Sequence, residues 1–185
     1  MLVLSSGGED MIQKLRVPLG FVIAVAVLYL ASPTGISILA GLPVAIAGAV
    51  LRGLAASVIR KDSTLATDGP YAWTRNPLYV GSFLLQLGFG VMSESWIAAA
   101  LTVMPSFIVY PNVIRNEEAH LSRLFPDQFR DYCAHVPRFI PWSGRRIRST
   151  AGSLSLKQYL ANREYNTAVG FVAVLAVFVV KWRLI

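Results

Sequence analysis

Long uncharged segments separated by short polar turns dominate the first half of the chain. From Val17 to Leu51 there is no Asp, Glu, Lys or Arg, and a Ser-Pro-Thr-Gly turn at residues 32–35 interrupts this run. The pattern predicts two apolar helices, Val17–Ala31 and Ile36–Ile59. The first is a little short of the roughly 20 apolar residues that span a bilayer, and the second exceeds that length.

Two further apolar segments follow a polar loop. Asn76-Pro77 begins the third predicted helix, Pro77–Ser93, because proline is tolerated in a first helical turn. A Ser-Glu-Ser turn at residues 93–95 leads to the fourth, Trp96–Ile114. Pro105 and Pro111 are expected to kink this helix.

Amphipathic segments follow the fourth span. Glu117–Leu124 is predicted as a short helix, and Asp127–Val136 places its apolar residues on one stripe at helical spacing. Leu154–Arg163 is a further amphipathic stretch, and Tyr165–Val180 is a candidate fifth span. The expected fold is therefore all-α, a polytopic membrane protein with four to five transmembrane helices and short cytosolic amphipathic helices. It is expected to form a single domain over residues 1–185.

The composition supports a membrane class. Hydrophobic residues make up 55% of the chain and charged residues 15%, whereas soluble domains carry about 25% charged residues. The formal charge of +7 is explained by basic clusters at membrane ends, so no nucleic-acid partner is expected. The single cysteine, Cys133, excludes an intrachain disulfide, and with two histidines it makes a poor zinc set. No metal site is expected.

Lysine and arginine counts predict the orientation. The loop Arg60–Arg75 holds three and the segment Arg115–Arg163 holds nine, whereas the two intervening turns hold none. The positive-inside rule therefore places both long loops on the cytosolic face. A fifth span would put Lys181 and Arg183 on the opposite side, unless Tyr165–Val180 dips into the bilayer without crossing it.

Polar residues with binding chemistry concentrate at this cytosolic face. Glycine permits close approach of a ligand, tyrosine rings attract a cation or an aromatic base, arginines grip a carboxylate, and glutamates hold an ammonium or a ribose diol. The set comprises Gly69, Pro70, Tyr71, Arg75, Asn76, Tyr79, Arg115, Glu117, Glu118, Tyr132 and Arg138. This inventory suits a zwitterionic, aromatic, cationic ligand such as S-adenosylmethionine.

Two motifs carry a family resemblance. GPYAWTRNPLYVG at residues 69–81 and RNEEAHLSRLFPDQFRDYCAHVPRFIP at residues 115–141 resemble the integral-membrane methyltransferases of the isoprenylcysteine carboxyl methyltransferase and phospholipid methyltransferase group. Members resemble one another in a GPY turn, an RHPxYxG motif, a Glu-Glu pair and a YxxYxxxVPRFIP-like ending. The resemblance covers residues 65–142 and leaves residues 143–185 as an extension.

The resemblance implies a cytosolic cofactor pocket, a tunnel toward lipid, and S-adenosylmethionine as methyl donor. Arg115 and Glu117 are the expected catalytic residues, with Arg115 orienting an acidic acceptor. The expected cofactor-binding residues are Gly69, Pro70, Tyr71, Arg75, Asn76, Tyr79, Glu118 and Tyr132. The acceptor would be a lipid or a lipidated small molecule or peptide.

Departures from the family pattern bear on the acceptor. Asn76 replaces the usual histidine and cannot titrate; Pro126 and Phe129 also depart. A carboxylate acceptor needs no general base at neutral pH, whereas an amine must first lose a proton, for which His120 and His135 are available. Carboxyl O-methylation of an isoprenylcysteine-like substrate is therefore preferred over phosphatidylethanolamine-type N-methylation, which the Asn-Pro-x-Tyr sequence also resembles.

Non-enzymatic classes remain as alternatives. A small transporter should show inverted repeats or charges near the middle of its spans, and neither feature is evident in the sequence. A membrane scaffold, or a module that binds the cofactor without turnover, would be separated from an enzyme by a methyl-transfer assay.

Overall fold

The computed structural model describes residue 20 and residues 22–60, 63–140 and 154–184, and within these ranges the chain is helical, without a strand. The predicted start of the first helix at Val17, and Pro141-Trp142 at the end of the second motif, lie outside the described residues. The helices are α1 (residues 22–30), α2 (Gly35–Val58), a short 3₁₀ helix (Gly69–Ala72), α3 (Pro77–Met92), α4 (Trp96–Leu124), α5 (Pro126–His135), α6 (Leu156–Ala161) and α7 (Tyr165–Leu184).

Helix lengths confirm an all-α polytopic membrane protein. Three described helices, α2, α4 and α7, are long and apolar enough to cross a membrane, and α3 is a shorter apolar helix of 16 residues. The bounds of α2 and α3 lie within one residue of those predicted. Thr34 caps α2 by accepting a hydrogen bond from the Ser37 amide.

The predicted break between Ile114 and Glu117 is wrong. Helix α4 runs through Pro105, Pro111 and the polar Arg115 to end at Leu124, a total of 29 residues. At 1.5 Å per residue this helix is about 43 Å long, which exceeds a hydrocarbon core of about 30 Å. Its last turns, which carry the Glu-Glu pair, therefore extend beyond the membrane.

Small residues bring α2 and α3 into close contact. Gly41, Ala45 and Gly48 follow one another along α2 and face Gly81 and Gly88 on α3. A Cβ atom added at Gly88 would lie 2.5 Å from the backbone nitrogen of Ala45. Such approach of backbones is the usual basis of helix association in membranes, and it fixes the start of α3 relative to α2.

Helix α7 packs against the same bundle, and a lysine in its last turn contacts the end of α1. Lys181 Nζ donates to the carbonyl oxygens of Leu28 at 2.8 Å, Tyr29 at 3.1 Å and Ala31 at 2.5 Å. These carbonyls end α1, where helical carbonyls lack intrahelical partners. The contact explains how a basic residue is accommodated near the end of the apolar helix α7.

Candidate functional site

A cavity of about 290 Å³, called the polar cavity here for its charged side chains, lies at the end of the bundle that carries the Glu-Glu pair. It is bounded by the end of α2, the loop before α3, the last turns of α4, and α5. Six of the predicted site residues line it: Tyr71, Arg75, Asn76, Glu117, Glu118 and Tyr132. The remaining wall is largely apolar and includes Ile59, Leu65, Ala66, Leu78, Leu121, Phe125 and Phe129, with Arg60, Thr64 and His120. Sequence reasoning missed this apolar part.

Gly69 and Pro70 shape the loop and do not line the cavity. Gly69 adopts a φ of +57°, and a Cβ atom there would lie 3.3 Å from Val58 Cγ2. The left-handed backbone favours glycine, and Pro70 begins the 3₁₀ helix. The turn places Tyr71, which is buried, in the cavity wall. Burial, with a smaller effect of the nearby Glu117 carboxylate, raises the pKa of Tyr71, so its hydroxyl stays neutral.

Two arginines hold Glu118. Arg138 makes a bidentate contact, in which Nε donates to Oε1 at 3.2 Å and Nη2 donates to Oε2. Arg75 Nη1 lies 3.6 Å from Oε1, and the Glu118 and Arg75 side chains are only 14% and 16% exposed. The hydrogen bond that Arg138 donates to Glu118 raises the pKa of the Arg138 guanidinium. The charge of Glu118 is therefore already compensated by the protein.

Glu117 has a different environment. Its Oε2 accepts a hydrogen bond of 3.0 Å from the Tyr79 hydroxyl, and its carboxylate meets no arginine or lysine among the described residues. Of the two adjacent carboxylates, therefore, only Glu118 is paired with arginine among the described residues. Arg75 Nε is buried with no hydrogen-bond partner in the described part of the chain.

Hydrogen bonds tie the loop before α3 to the segment after α5. Asn76 Nδ2 and Thr74 Oγ1 both donate to the Arg138 carbonyl, at 3.1 and 3.0 Å. The Tyr132 hydroxyl donates to the Tyr71 carbonyl at 2.7 Å, and burial raises the pKa of Tyr132. Asn76 and Tyr132 therefore hold the walls together. The sequence placed Arg138 among the polar residues of this face without assigning it a role.

An apolar groove of about 480 Å³ adjoins the cavity between α3 and α4. Its lining residues are Tyr79, Val80, Phe83, Ser106, Phe107, Tyr110, Pro111, Phe139 and Ile140. The Tyr79 ring lies 5.2 Å from the Tyr110 ring, centroid to centroid, while its hydroxyl reaches Glu117. Tyr79 thus stands at the boundary between the groove and the cavity.

Arg115 is exposed and does not line the cavity. It follows Pro111 by one helical turn, and residues four apart lie on the same side of a helix. Because Pro111 lines the groove, Arg115 lies one turn beyond the groove on the same side of α4.

Comparisons with known proteins identify the family. A relative from Alcaligenes xylosoxydans xylosoxydans, named nickel-cobalt-cadmium resistance protein NccN, is 45% identical over 82 residues, or 44% of this chain and 38% of the relative. Protein-S-isoprenylcysteine O-methyltransferase of Schizosaccharomyces pombe is 35% identical over 95 residues, covering 51% of this chain and 40% of the relative. The enzyme of the same name from Homo sapiens is 32% identical over 79 residues, covering 43% of this chain and 28% of the relative.

These alignments therefore span two fifths or less of each relative's length. No solved structure matches the chain. The family model described as phospholipid methyltransferase matches residues 21–128. This match includes α2, α3 and all of α4, together with the GPY turn and the Glu-Glu pair, and the chain belongs to the phospholipid methyltransferase family.

Proposed function

We propose that the protein is an S-adenosylmethionine-dependent methyltransferase that acts at the cytosolic face on the carboxylate of an isoprenylcysteine-like lipidic acceptor. The observation that carries this proposal is that Tyr79, which lines the apolar groove, donates a hydrogen bond to Glu117, which lines the polar cavity. A methyl transfer between a polar donor and a lipidic acceptor needs these two kinds of space side by side.

The residues of the cavity fit this donor. Glu117 can accept from an ammonium group or a ribose diol, and the guanidinium of Arg75, which also lines the cavity, can donate to a carboxylate. The apolar wall around Leu65 and Leu121 suits the faces of an aromatic base. When bound, S-adenosylmethionine supplies a methyl group that is already activated by its positively charged sulfur.

The protein's own contribution is then to bind, orient and exclude water. The groove holds the apolar chain of the acceptor, and Arg115 at its rim grips the carboxylate with a planar fork. The acceptor is ionised at neutral pH and needs no base, which agrees with a non-titrating Asn76 in the cavity wall. The names of the isoprenylcysteine O-methyltransferase relatives support this acceptor.

Phosphatidylethanolamine-type N-methylation is the second candidate. The family description names phospholipid, and His120, which lines the cavity, could take a proton from an amine. His135 is less suitable because its Nδ1 contacts the Asp131 carbonyl at 2.8 Å on α5.

The test is methyl transfer by the purified protein in lipid nanodiscs. Labelled S-adenosylmethionine is supplied with farnesylcysteine or with phosphatidylethanolamine, and the product is identified by mass spectrometry. We expect a methyl ester on farnesylcysteine. A methylated amine would instead establish the second candidate.

Cofactor binding is tested separately, with Glu117→Gln. Removing the charge should weaken binding of S-adenosylhomocysteine by about tenfold, roughly 1.4 kcal/mol, because a charge-assisted hydrogen bond is lost. His135→Gln on α5 is the matched control and should bind as the parent does. Calorimetry showing no binding by the parent protein would refute the proposed function.

A further inference from the structure

A bidentate ion pair joins α2 to the residue just before α7. Arg52 Nε donates to Glu164 Oε1 at 2.7 Å, and Arg52 Nη2 donates to Glu164 Oε2 at 2.9 Å. The two side chains are only 22% and 9% exposed. Arg52 lies inside the membrane-spanning α2, where a charged group is costly unless it has partners.

The same guanidinium also contacts the beginning of α3. Arg52 Nη1 donates to the Leu78 carbonyl at 3.4 Å and to Ser82 Oγ, and that hydroxyl in turn donates to the Leu78 carbonyl at 2.8 Å. A Cβ atom at Gly81 would lie 2.7 Å from Arg52 Cγ, so the glycine that ends the first motif makes room for the arginine. The planar fork of Arg52 thus holds α3 and Glu164 at the same time.

A second set of contacts joins the extension to the end of α2. Asn162 Nδ2 donates to the carbonyls of Ala56 at 2.8 Å and Ile59 at 3.1 Å. The Ser155 amide donates to the Ser57 carbonyl at 3.1 Å. These are among the last carbonyls of α2, which lack partners within the helix. Ile59 and Leu78, which the two sets of contacts hold, both line the polar cavity.

We propose that Glu164 and Asn162 are positioning residues for the cofactor cavity. Asn162 holds the end of α2, and Glu164 holds the first turns of α3 through Arg52. Together they keep these two parts of the cavity wall at the separation that the cavity requires. The inference rests on the proposed function. It assigns a role to the extension, which lies beyond the family match at residues 21–128.

The test compares Glu164→Gln with the double variant Arg52→Met/Glu164→Met. Replacing a buried ion pair by apolar side chains is often neutral or stabilising, so the double variant should unfold at a temperature similar to that of the parent. It nevertheless lacks the donor to Leu78 and Ser82, so S-adenosylhomocysteine affinity should fall about tenfold. Glu164→Gln should lose affinity similarly, and Asn162→Ala about threefold.

A cofactor-free measurement separates this inference from the proposed function. Hydrogen exchange of the amides of residues 78–82 should be faster in both Glu164 variants than in the parent, whether or not the parent binds the cofactor. Asp127→Ala removes an ion pair whose side chains are 83% and 88% exposed, and it should change neither affinity nor exchange. Parent-like affinity in the double variant, or parent-like exchange in both Glu164 variants, would overturn the positioning role.

Discussion

Tyr79 of the apolar groove donates to Glu117 of the polar cavity, but the two spaces are assembled in different ways. The groove lies mainly between two consecutive helices, α3 and α4, whose apolar side chains form its walls. The cavity draws on five separate segments between Ile59 and Tyr132, and polar contacts such as those of Glu118 with Arg75 and Arg138 fix them. Substitutions in the groove should therefore act locally, whereas those in the cavity wall should affect folding and binding together.

The largest effect is expected for Glu118→Ala. It leaves Arg75, which is mostly buried, and Arg138 without their shared carboxylate. Loss of one partner of a buried pair should lower the free energy of unfolding by about 3 kcal/mol, and S-adenosylhomocysteine affinity should fall with it. Chemical denaturation and calorimetry measure the two quantities. Unchanged stability with lost affinity would mean that Glu118 binds the ligand directly. It would contradict the expectation that substitutions in the cavity wall affect folding and binding together.

A substitution in the groove should weaken binding of the acceptor without affecting binding of the cofactor. Val80→Trp fills the apolar groove and should raise the KM for a farnesylated acceptor about tenfold, equivalent to about 1.4 kcal/mol, without changing S-adenosylhomocysteine affinity. Val50→Trp, at a position of α2 that is 54% exposed, is the matched control and should leave both values unchanged. An equal loss of cofactor affinity in Val80→Trp would show that the two spaces are not separate.

Arg115→Lys tests whether Arg115 orients the acceptor at the rim of the groove. Lysine keeps the charge but loses the planar fork, so turnover should fall several-fold while cofactor affinity stays constant. Arg123→Lys, further along α4, is the control and should change neither turnover nor cofactor affinity. A parallel loss of turnover and affinity would argue against acceptor orientation by Arg115 and would favour the phospholipid amine candidate.

The smallest effect is the pH dependence that Tyr132 introduces. Tyrosine in an unfolded chain has a pKa of about 10, and burial raises the pKa of Tyr132 above this value. Above about pH 10 the unfolded chain therefore loses a proton that the folded protein retains, so the free energy of unfolding should fall as pH rises.

Tyr132→Phe should flatten this slope. At neutral pH it should cost about 1 kcal/mol for the lost hydrogen bond to the Tyr71 carbonyl. Denaturation of the parent and the variant between pH 7 and 11 measures both effects. An unchanged slope would contradict the assignment of the slope to Tyr132.

The features that the sequence predicted well have local signals. Two turns, at residues 32–35 and 93–95, and the Asn76-Pro77 start predicted the ends of α2 and α3 closely. Of the predicted apolar stripe along α5 and the residue after it, Phe129, Tyr132 and Val136 are buried and Cys133 is partly buried. The break predicted before Glu117 was wrong because polarity changes there as α4 leaves the membrane, without the helix ending.

The long-range polar contacts have no local signal in the sequence. Arg52 and Glu164 are 112 positions apart, and nothing near either residue predicts their pairing. Glu117 and Glu118 are equivalent in the sequence. Their different environments depend on Tyr79 and Arg138, which separate elements bring to them.

The shortness of α3 has a consequence for the surrounding bilayer. Its 16 residues extend about 24 Å, less than a hydrocarbon core of about 30 Å. Lipid next to such a helix adapts by thinning, and α3 forms one wall of the groove. Head groups of lipids at the groove should therefore descend toward the membrane centre, which makes bilayer thickness itself a determinant of how readily a lipidic acceptor enters.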